Sequence, residues 1–312
     1  MTTRQRTIAL GTLGFGTSVD ESTSLEILDR FVESGGTVLD TANNYSFWID
    51  GATGDESETV IGRWLADRNA RDNVVISTKV GARPAVPGTG LENAEGLSEK
   101  AVRAAFDESL RRLGTDRVDV YWTHIEDRSV PLAETVDTLA DLVETGKAGE
   151  LGASNHAVWR TERARTLAGV RPRYTHLQYR YSYLQPRFDI PLPSSAHVHV
   201  TGELLDYVRS EPDLQLWAYS PLLSGGYTRA DVEIPEAYDH PGTPKRLAAL
   251  REVAEELGAT VNQVVLAWLL DNDPPILPIV GVSRISQVDE AMAALDITLG
   301  DDQRRRLDDA GV

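Results

Sequence analysis

Residues 74–124 read VVISTKV (74–80), GARPAVPGTGLENAEGL (81–97), SEKAVRAAFDESLRRL (98–113), GTDR (114–117) and VDVYWTH (118–124). Two β-branched, apolar runs of strand length flank an amphipathic stretch of helix length, whose Ser98 and Glu99 suit a helix start. Each run ends in polar residues, Lys79 and His124, that no burial pattern demands. The unit is strand, loop, helix, strand, and it repeats in both directions. Upstream lie Leu10–Gly16 with a helix at Ser22–Ser34, stopped by Gly35-Gly36, and Val38–Thr41 with a helix at Glu56–Leu65. Downstream, Val118–His124 leads to a helix at Leu132–Glu144, Leu151–Ser154 to Val158–Leu167, and Tyr174–Gln178 to Gly202–Arg209. Leu214–Ser220 is followed by helices at Lys245–Leu257 and Val261–Leu270. Ile276–Val280 precedes Ser286–Leu295 and a last helix at Asp301–Asp309.

Eight such pairs across 312 residues leave about 39 per unit, which predicts a single (β/α)8 TIM barrel over 1–312, C-terminal helix included. An open doubly wound sheet is the weaker fit, because Gly11, Gly14 and Gly16 lack the spacing of a dinucleotide fingerprint. Connections at 45–55, 81–97, 179–200 and 221–242 are the longest, and on one face of a barrel such loops shape a binding site.

Composition narrows the function. Forty-eight acidic against 31 basic residues give a net charge of −17, which repels polyphosphate backbones and argues against a nucleic-acid partner. The absence of Cys removes disulfides, thiolate nucleophiles and Cys-ligated metals. His197 and His199 have a chelating spacing but no third ligand nearby in sequence, so no metal site is expected. The start of the chain makes a poor export signal, and the most apolar stretch, Val261–Leu270, is about half the length of a membrane span. A cytoplasmic protein without membrane contact, a monomer or weak homo-oligomer, is the expectation.

In a parallel barrel, chemistry is assembled at the C-terminal strand ends. Lys79 there sits inside the barrel top, where an ammonium is costly unless an anion pairs with it, and Asp40 ends another strand. Tyr45 follows Asp40 by five residues, enough to return a phenol towards the same centre. Taken alone, Asp40 reads as a turn cap, Tyr45 as a rim aromatic, Lys79 as a solvated charge and His124 as a structural histidine. Together at strand ends they read as one site. A Tyr of reference pKa about 10 must drop by roughly two to three pKa units to exchange protons near neutrality, about 3–4 kcal/mol. One cation at about 4 Å in an effective dielectric of about 20 contributes roughly that, so Lys79 is expected to lower Tyr45. His124 would be a second hydrogen-bond donor to the same substrate oxygen.

Asp40, Tyr45, Lys79 and His124 resemble, in order and placement, the catalytic tetrad of the aldo-keto reductase family. LDTANNY (39–45), ESETVIGRWL (56–65), Gly146-Lys147 with LGASN (151–155), QYRYSYL (178–184) and AYSPL (218–222) are similar to further segments of that family. The resemblance implies NAD(P)H-dependent reduction of aldehyde, ketone or sugar-type carbonyls by direct hydride transfer, with Tyr45 as general acid, tuned by Lys79 and Asp40, and His124 orienting the carbonyl. It implies that Ser154, Asn155 and Gln178 hold the nicotinamide carboxamide, that Tyr219 stacks on the ring and that Ser220 and Leu222 lie along the pyrophosphate. Gly281, Ser283, Arg284 and Gln287 would meet the adenosine end, and Phe47, Trp48 and Trp122 would line the substrate pocket. No metal or flavin is required. The chain departs from many relatives in having Ser283 with Arg284 one place later, Ala291 in place of an Asn, Ala148-Gly149, and Glu126. NADP(H) is favoured as cofactor, with NAD(H) open. The other readings are an NAD-linked polyol or sugar dehydrogenase and, from another class, a nucleotide-binding redox-sensing regulatory subunit with little turnover.

Overall fold

The computed structural model describes residues 6–86, 88–192 and 196–311; the first five residues of the chain start and part of the PLPSS stretch (191–195) lie outside the described residues. The elements are β1 (Ala9–Gly11), α1 (Glu21–Glu33), β2 (Val38–Asp40), α2 (Glu56–Arg68), β3 (Val75–Val80), α3 (Glu99–Leu113), β4 (Val118–Thr123), α4 (Leu132–Glu144), β5 (Ala148–Ser154) and α5 (Val158–Ala168). They continue with β6 (Tyr174–Arg180), α6 (Gly202–Ser210), β7 (Gln215–Tyr219), α7 (Gly242–Leu257), α8 (Val261–Leu270), β8 (Ile276–Gly281), α9 (Ile285–Ala293) and α10 (Asp301–Asp309). Every strand pairs in parallel with the next and β8 pairs with β1, which closes the (β/α)8 barrel expected from the alternation.

The helices start where side chains satisfy otherwise orphaned N–H groups. Asp20 accepts from Thr23 N, Ser98 from Ala101 N and Thr201 from Leu204 N, and Thr260 with Gln263 forms a capping box at α8. Gly114 and Gly258 end α3 and α7 in the left-handed region, at φ 62° and 61°. The expected first strand, Leu10–Gly16, is shorter than its apolar pattern. It stops at Gly11 because Phe15 N bonds Thr12 O at 3.0 Å and Val19 N bonds Gly14 O at 2.9 Å, folding 12–19 into a turn over the barrel.

The core has two layers. Between strands and helices, Ile27, Phe31, Ile61, Phe106, Leu139, Val253 and Leu266 pack outward-facing strand residues such as Leu39, Ile76 and Leu177. Inside the barrel, Ala9, Val38, Val120, Trp122, Trp217, Leu277 and Ile279 form a separate cluster. Strand register puts Asp40 beside Ser77, Lys79 beside Trp122, and Ser154 beside Gln178, so polar residues from four strands gather towards the C-terminal strand ends. Among the described residues, no helix is long and apolar enough to cross a membrane.

Candidate active site

The start of α2 braces the strand ends from behind. Ser57 donates to Thr12 O at 2.9 Å and shares hydrogen bonds with Thr12 and Thr41, while buried Glu58 accepts from Thr78 at 2.5 Å and from Arg112 Nε at 2.6 Å. The loop from Thr41 to Ser46 is pinned in turn. Glu95 Oε1 accepts from Asn43 at 2.8 Å and Gly81 N at 2.7 Å, Asn44 donates to Ala82 O, and Ser46, at φ 64°, donates to Leu13 O at 2.6 Å. That turn sends Tyr45 back over Asp40.

Lys79 and Asp40 are fully buried as an ion pair, Nζ to Oδ2 2.7 Å. Lys79 Nζ also donates to Thr41 O at 2.7 Å and to the Tyr45 hydroxyl at 2.6 Å, and that hydroxyl donates to Asp40 Oδ2 at 3.2 Å. The other carboxylate oxygen, Oδ1, accepts from Ser77 Oγ at 2.9 Å and Gln178 Nε2 at 3.1 Å. The His124 ring meets Tyr45 edge-on at 6.1 Å, and among the described residues its buried Nδ1 has no partner.

The electrostatics depart from the sequence expectation. Tyr45 is pushed well above the ordinary phenol range, by burial first and by the Asp40 charge second. The pull of Lys79, 2.6 Å from the Tyr45 oxygen, is offset by Asp40 at 3.2 Å, so burial sets the direction. Burial also lowers Lys79, and burial together with the Lys79 charge holds His124 well below the usual imidazole range. At neutral pH the site therefore presents a loaded phenol and a neutral imidazole.

Above this cluster runs a cavity of about 1660 Å³, bordered by Phe47, Trp48, Tyr45, His124, Tyr219 and Arg284. Ser154, Asn155, Gln178, Ser220, Leu222, Gly281, Ser283 and Gln287 border it as well. Trp48 is 58% exposed and stands edge-on to Phe47 at 5.2 Å, a rim rather than a floor. Trp122 does not reach the cavity. It lies beneath, in the barrel interior against Trp217 at 5.2 Å, because its inward-facing position on β4 is one level below the strand end.

The chemistry of part of the donor set is compatible with a nicotinamide dinucleotide. Ser154 and Gln178 offer hydroxyl and carboxamide groups to the cavity, an added Cβ at Gly281 would meet nothing within 4 Å, and among the described residues Arg284 forms no ion pair. In a chain with 48 acidic residues, a cation that borders the cavity without a carboxylate partner among the described residues suits a phosphate. Asn155 differs from its expected role. At φ 58°, it donates to His124 O (3.2 Å) and Ser154 Oγ (3.0 Å) and accepts from the Tyr219 hydroxyl (2.7 Å) and Val198 N (3.0 Å), which uses its whole amide. It ties three strand ends together instead of facing the cavity with a free group. Gln287 likewise spends its oxygen on Ser283 N at 2.8 Å.

Two contributors escaped the sequence reading. His197, considered from sequence only as a metal ligand and set aside, borders the cavity and lies 5.4 Å from the Tyr219 ring. Ser77 was visible as a polar strand residue, but its contact with Asp40 depends on strand register, which the sequence does not display.

A closed parallel barrel with a Lys–Asp–Tyr cluster at the C-terminal mouth belongs to the class of barrel enzymes that work from their strand ends. The chain is a member of the aldo-keto reductase family: a sequence profile described as "Aldo/keto reductase family" matches residues 7–311. It is 30% identical to the uncharacterized oxidoreductase YrpG of Bacillus subtilis (strain 168), over 97% of this chain and 91% of that protein. It is 28% identical to an aryl-alcohol dehydrogenase [NADP(+)] of Phanerodontia chrysosporium, over 95% of this chain and 77% of the relative. The crystal structure of the thermostable aldo-keto reductase Tm1743 with the inhibitor epalrestat superposes with a TM-score of 0.74 at 25% identity, covering 96% of this chain and 93% of that one. Membership of this family makes the chain an oxidoreductase of carbonyl chemistry.

Proposed function

We propose that the protein reduces aldehyde, ketone or sugar-type carbonyls to alcohols with NADP(H), and that Tyr45 donates the proton. The observation that carries this reading is the position of Lys79 Nζ, 2.7 Å from Asp40 Oδ2 and 2.6 Å from the Tyr45 oxygen, directly under the cavity. A carbonyl oxygen seated between Tyr45 and His124 meets two donors, the phenol and a neutral ring N–H. His124 polarises and orients it without giving up a proton, since the imidazole is already neutral. When the Tyr45 proton moves to the substrate oxygen, Lys79 stays hydrogen-bonded to the phenolate left behind. A nicotinamide, when bound, would supply the hydride to the carbonyl carbon. Ser154 and Gln178 would hold its carboxamide and Tyr219 would cover one ring face, with Ser220 and Leu222 along the pyrophosphate. Arg284 and the NADP(+)-named relative support NADP(H) over NAD(H). Phe47 and Trp48 would contact the substrate from the rim.

The test begins with calorimetric titration by NADPH and by NADH, followed by a carbonyl screen with Tyr45→Phe in parallel. Tighter NADPH binding and loss of at least a hundredfold in turnover on Tyr45→Phe are expected. A Tyr45→Phe variant with more than half of the parent activity would remove Tyr45 as the acid. A strong preference for NADH would favour the dehydrogenase reading, and tight binding without turnover of any carbonyl would favour the regulatory one.

A further inference from the structure

We propose that Trp122 and Ser77 form a directed hydrogen-bond relay onto Asp40, which makes this barrel-floor tryptophan a positioning residue of the active site. The inference rests on the reading of Tyr45 as the acid and extends it one layer below the cavity. Trp122 Nε1 lies 2.6 Å from Ser77 Oγ, and Ser77 Oγ lies 2.9 Å from Asp40 Oδ1. All three side chains are fully buried, so water does not compete for these bonds.

Donor and acceptor inventory fixes the direction. An indole N–H only donates, so Ser77 Oγ is the acceptor of the first bond. A serine hydroxyl carries a single proton, and with Trp122 occupying one lone pair that proton is left pointing at Asp40 Oδ1. Gln178 Nε2 joins it there at 3.1 Å. Two neutral donors thus hold Oδ1, and Oδ2 is left to Lys79 and Tyr45. A carboxylate held at both oxygens cannot rotate about its χ2, so Oδ2 keeps its position as charge develops on Tyr45. Donors on Oδ1 also draw negative charge away from Oδ2, which lessens the penalty Asp40 places on a Tyr45 phenolate.

The floor is shaped to seat the indole. Trp122 pairs with Gly152 across the β4–β5 ladder, and a Cβ at Gly152 would come within 2.1 Å of Trp122 Cε3. The far edge of the ring is fixed by Trp217 at 5.2 Å and His176 at 5.9 Å. An apolar ring of similar size would fill this space equally well; only an indole supplies the N–H.

A double-mutant cycle separates a relay from packing. In Ser77→Ala, kcat for carbonyl reduction is expected to fall about 10- to 30-fold, as for loss of a hydrogen bond to a charged group, with KM for the carbonyl and calorimetric NADPH affinity within about threefold. Trp122→Phe keeps an aromatic ring in the floor and removes the N–H with the rest of the pyrrole portion, so kcat should fall about 3- to 10-fold with the same split. The double variant should be no slower than Ser77→Ala by more than about twofold, because Trp122 acts through Ser77. Multiplying losses, or a Ser77→Ala variant with parental kcat, would overturn the relay. If Trp122→Phe does not fold by circular dichroism, Ser77→Ala alone decides. Tyr45→Phe run alongside distinguishes the failures: if it retains activity the reading of the acid falls, whereas if it is inactive while Ser77→Ala is unaffected only the relay falls.

Discussion

Lys79→Met isolates the charge that leaves proton donation from Tyr45 reversible. Lys79 Nζ is 2.6 Å from the Tyr45 oxygen and Asp40 Oδ2 is 3.2 Å from it. At an effective dielectric of about 20, the lysine favours a phenolate there by about 6 kcal/mol and the aspartate opposes it by about 5 kcal/mol. The pair together contributes only about 1 kcal/mol in favour, which the desolvation of the phenolate outweighs, and this is why Tyr45 stands above its ordinary range despite touching an ammonium. Without Lys79, the phenolate formed during reduction faces the aspartate alone. With that support gone, kcat should fall by about 10³ to 10⁴, measured at saturating NADPH and carbonyl. The variant also leaves a buried carboxylate without its ion partner, at a cost of about 3–5 kcal/mol in stability. Adding Asp40→Asn removes that second penalty and should raise the melting temperature again without restoring the rate. A folded Lys79→Met variant with kcat within tenfold of the parent would refute the reasoning and reduce Lys79 to a counter-ion for Asp40.

The remaining expectations follow from single contacts. Because the Tyr45 value is raised, the phenol stays protonated as pH rises through neutrality, and because the His124 value is lowered, the imidazole stays neutral as pH falls past its usual range. Carbonyl reduction at saturating cofactor should therefore be flat from about pH 6 to 9, and a falling limb centred near pH 7–8 would contradict this. Arg284→Ala should weaken NADPH about 10- to 100-fold and NADH by less than about threefold in calorimetry, since only the former carries the extra phosphate; equal losses would dissociate Arg284 from that phosphate. Gly62→Ala would drive a Cβ to 2.1 Å from Arg112 O where α2 packs on α3, and thermal unfolding should move down by about 5–10 °C; a shift under 1 °C would contradict the close approach.

The barrel was legible because its signals are local. Alternating strand-length and helix-length patterns depend on neighbours in sequence, and the helices at Leu132–Glu144, Val261–Leu270 and Asp301–Asp309 coincide with their apolar periodicity residue for residue. The first strand was overextended for the same reason. Leu13 and Phe15 continue the apolar pattern past Gly11, but the chain turns there on hydrogen bonds from Phe15 and Val19 that no periodicity records.

The site divides along the same line. That Asp40, Lys79 and His124 end strands follows from pattern, and that they meet follows from barrel closure. Which oxygen of Asp40 faces which donor depends on register and on distances that differ by half an ångström, 2.7 Å to Lys79 against 3.2 Å to Tyr45. The sign of the Tyr45 shift is set by burial, since the opposed contributions of Lys79 at 2.6 Å and Asp40 at 3.2 Å, about 5–6 kcal/mol each, nearly cancel. Asn155 shows the same dependence: its residue type suits a carboxamide, yet Tyr219 and Val198, 64 and 43 positions away in sequence, take up its oxygen. Trp122 carries the argument furthest. Its size and apolarity mark it for a wall or a core by composition alone, and its only polar atom acquires a role solely because β3 and β4 bring Ser77 within 2.6 Å of the indole.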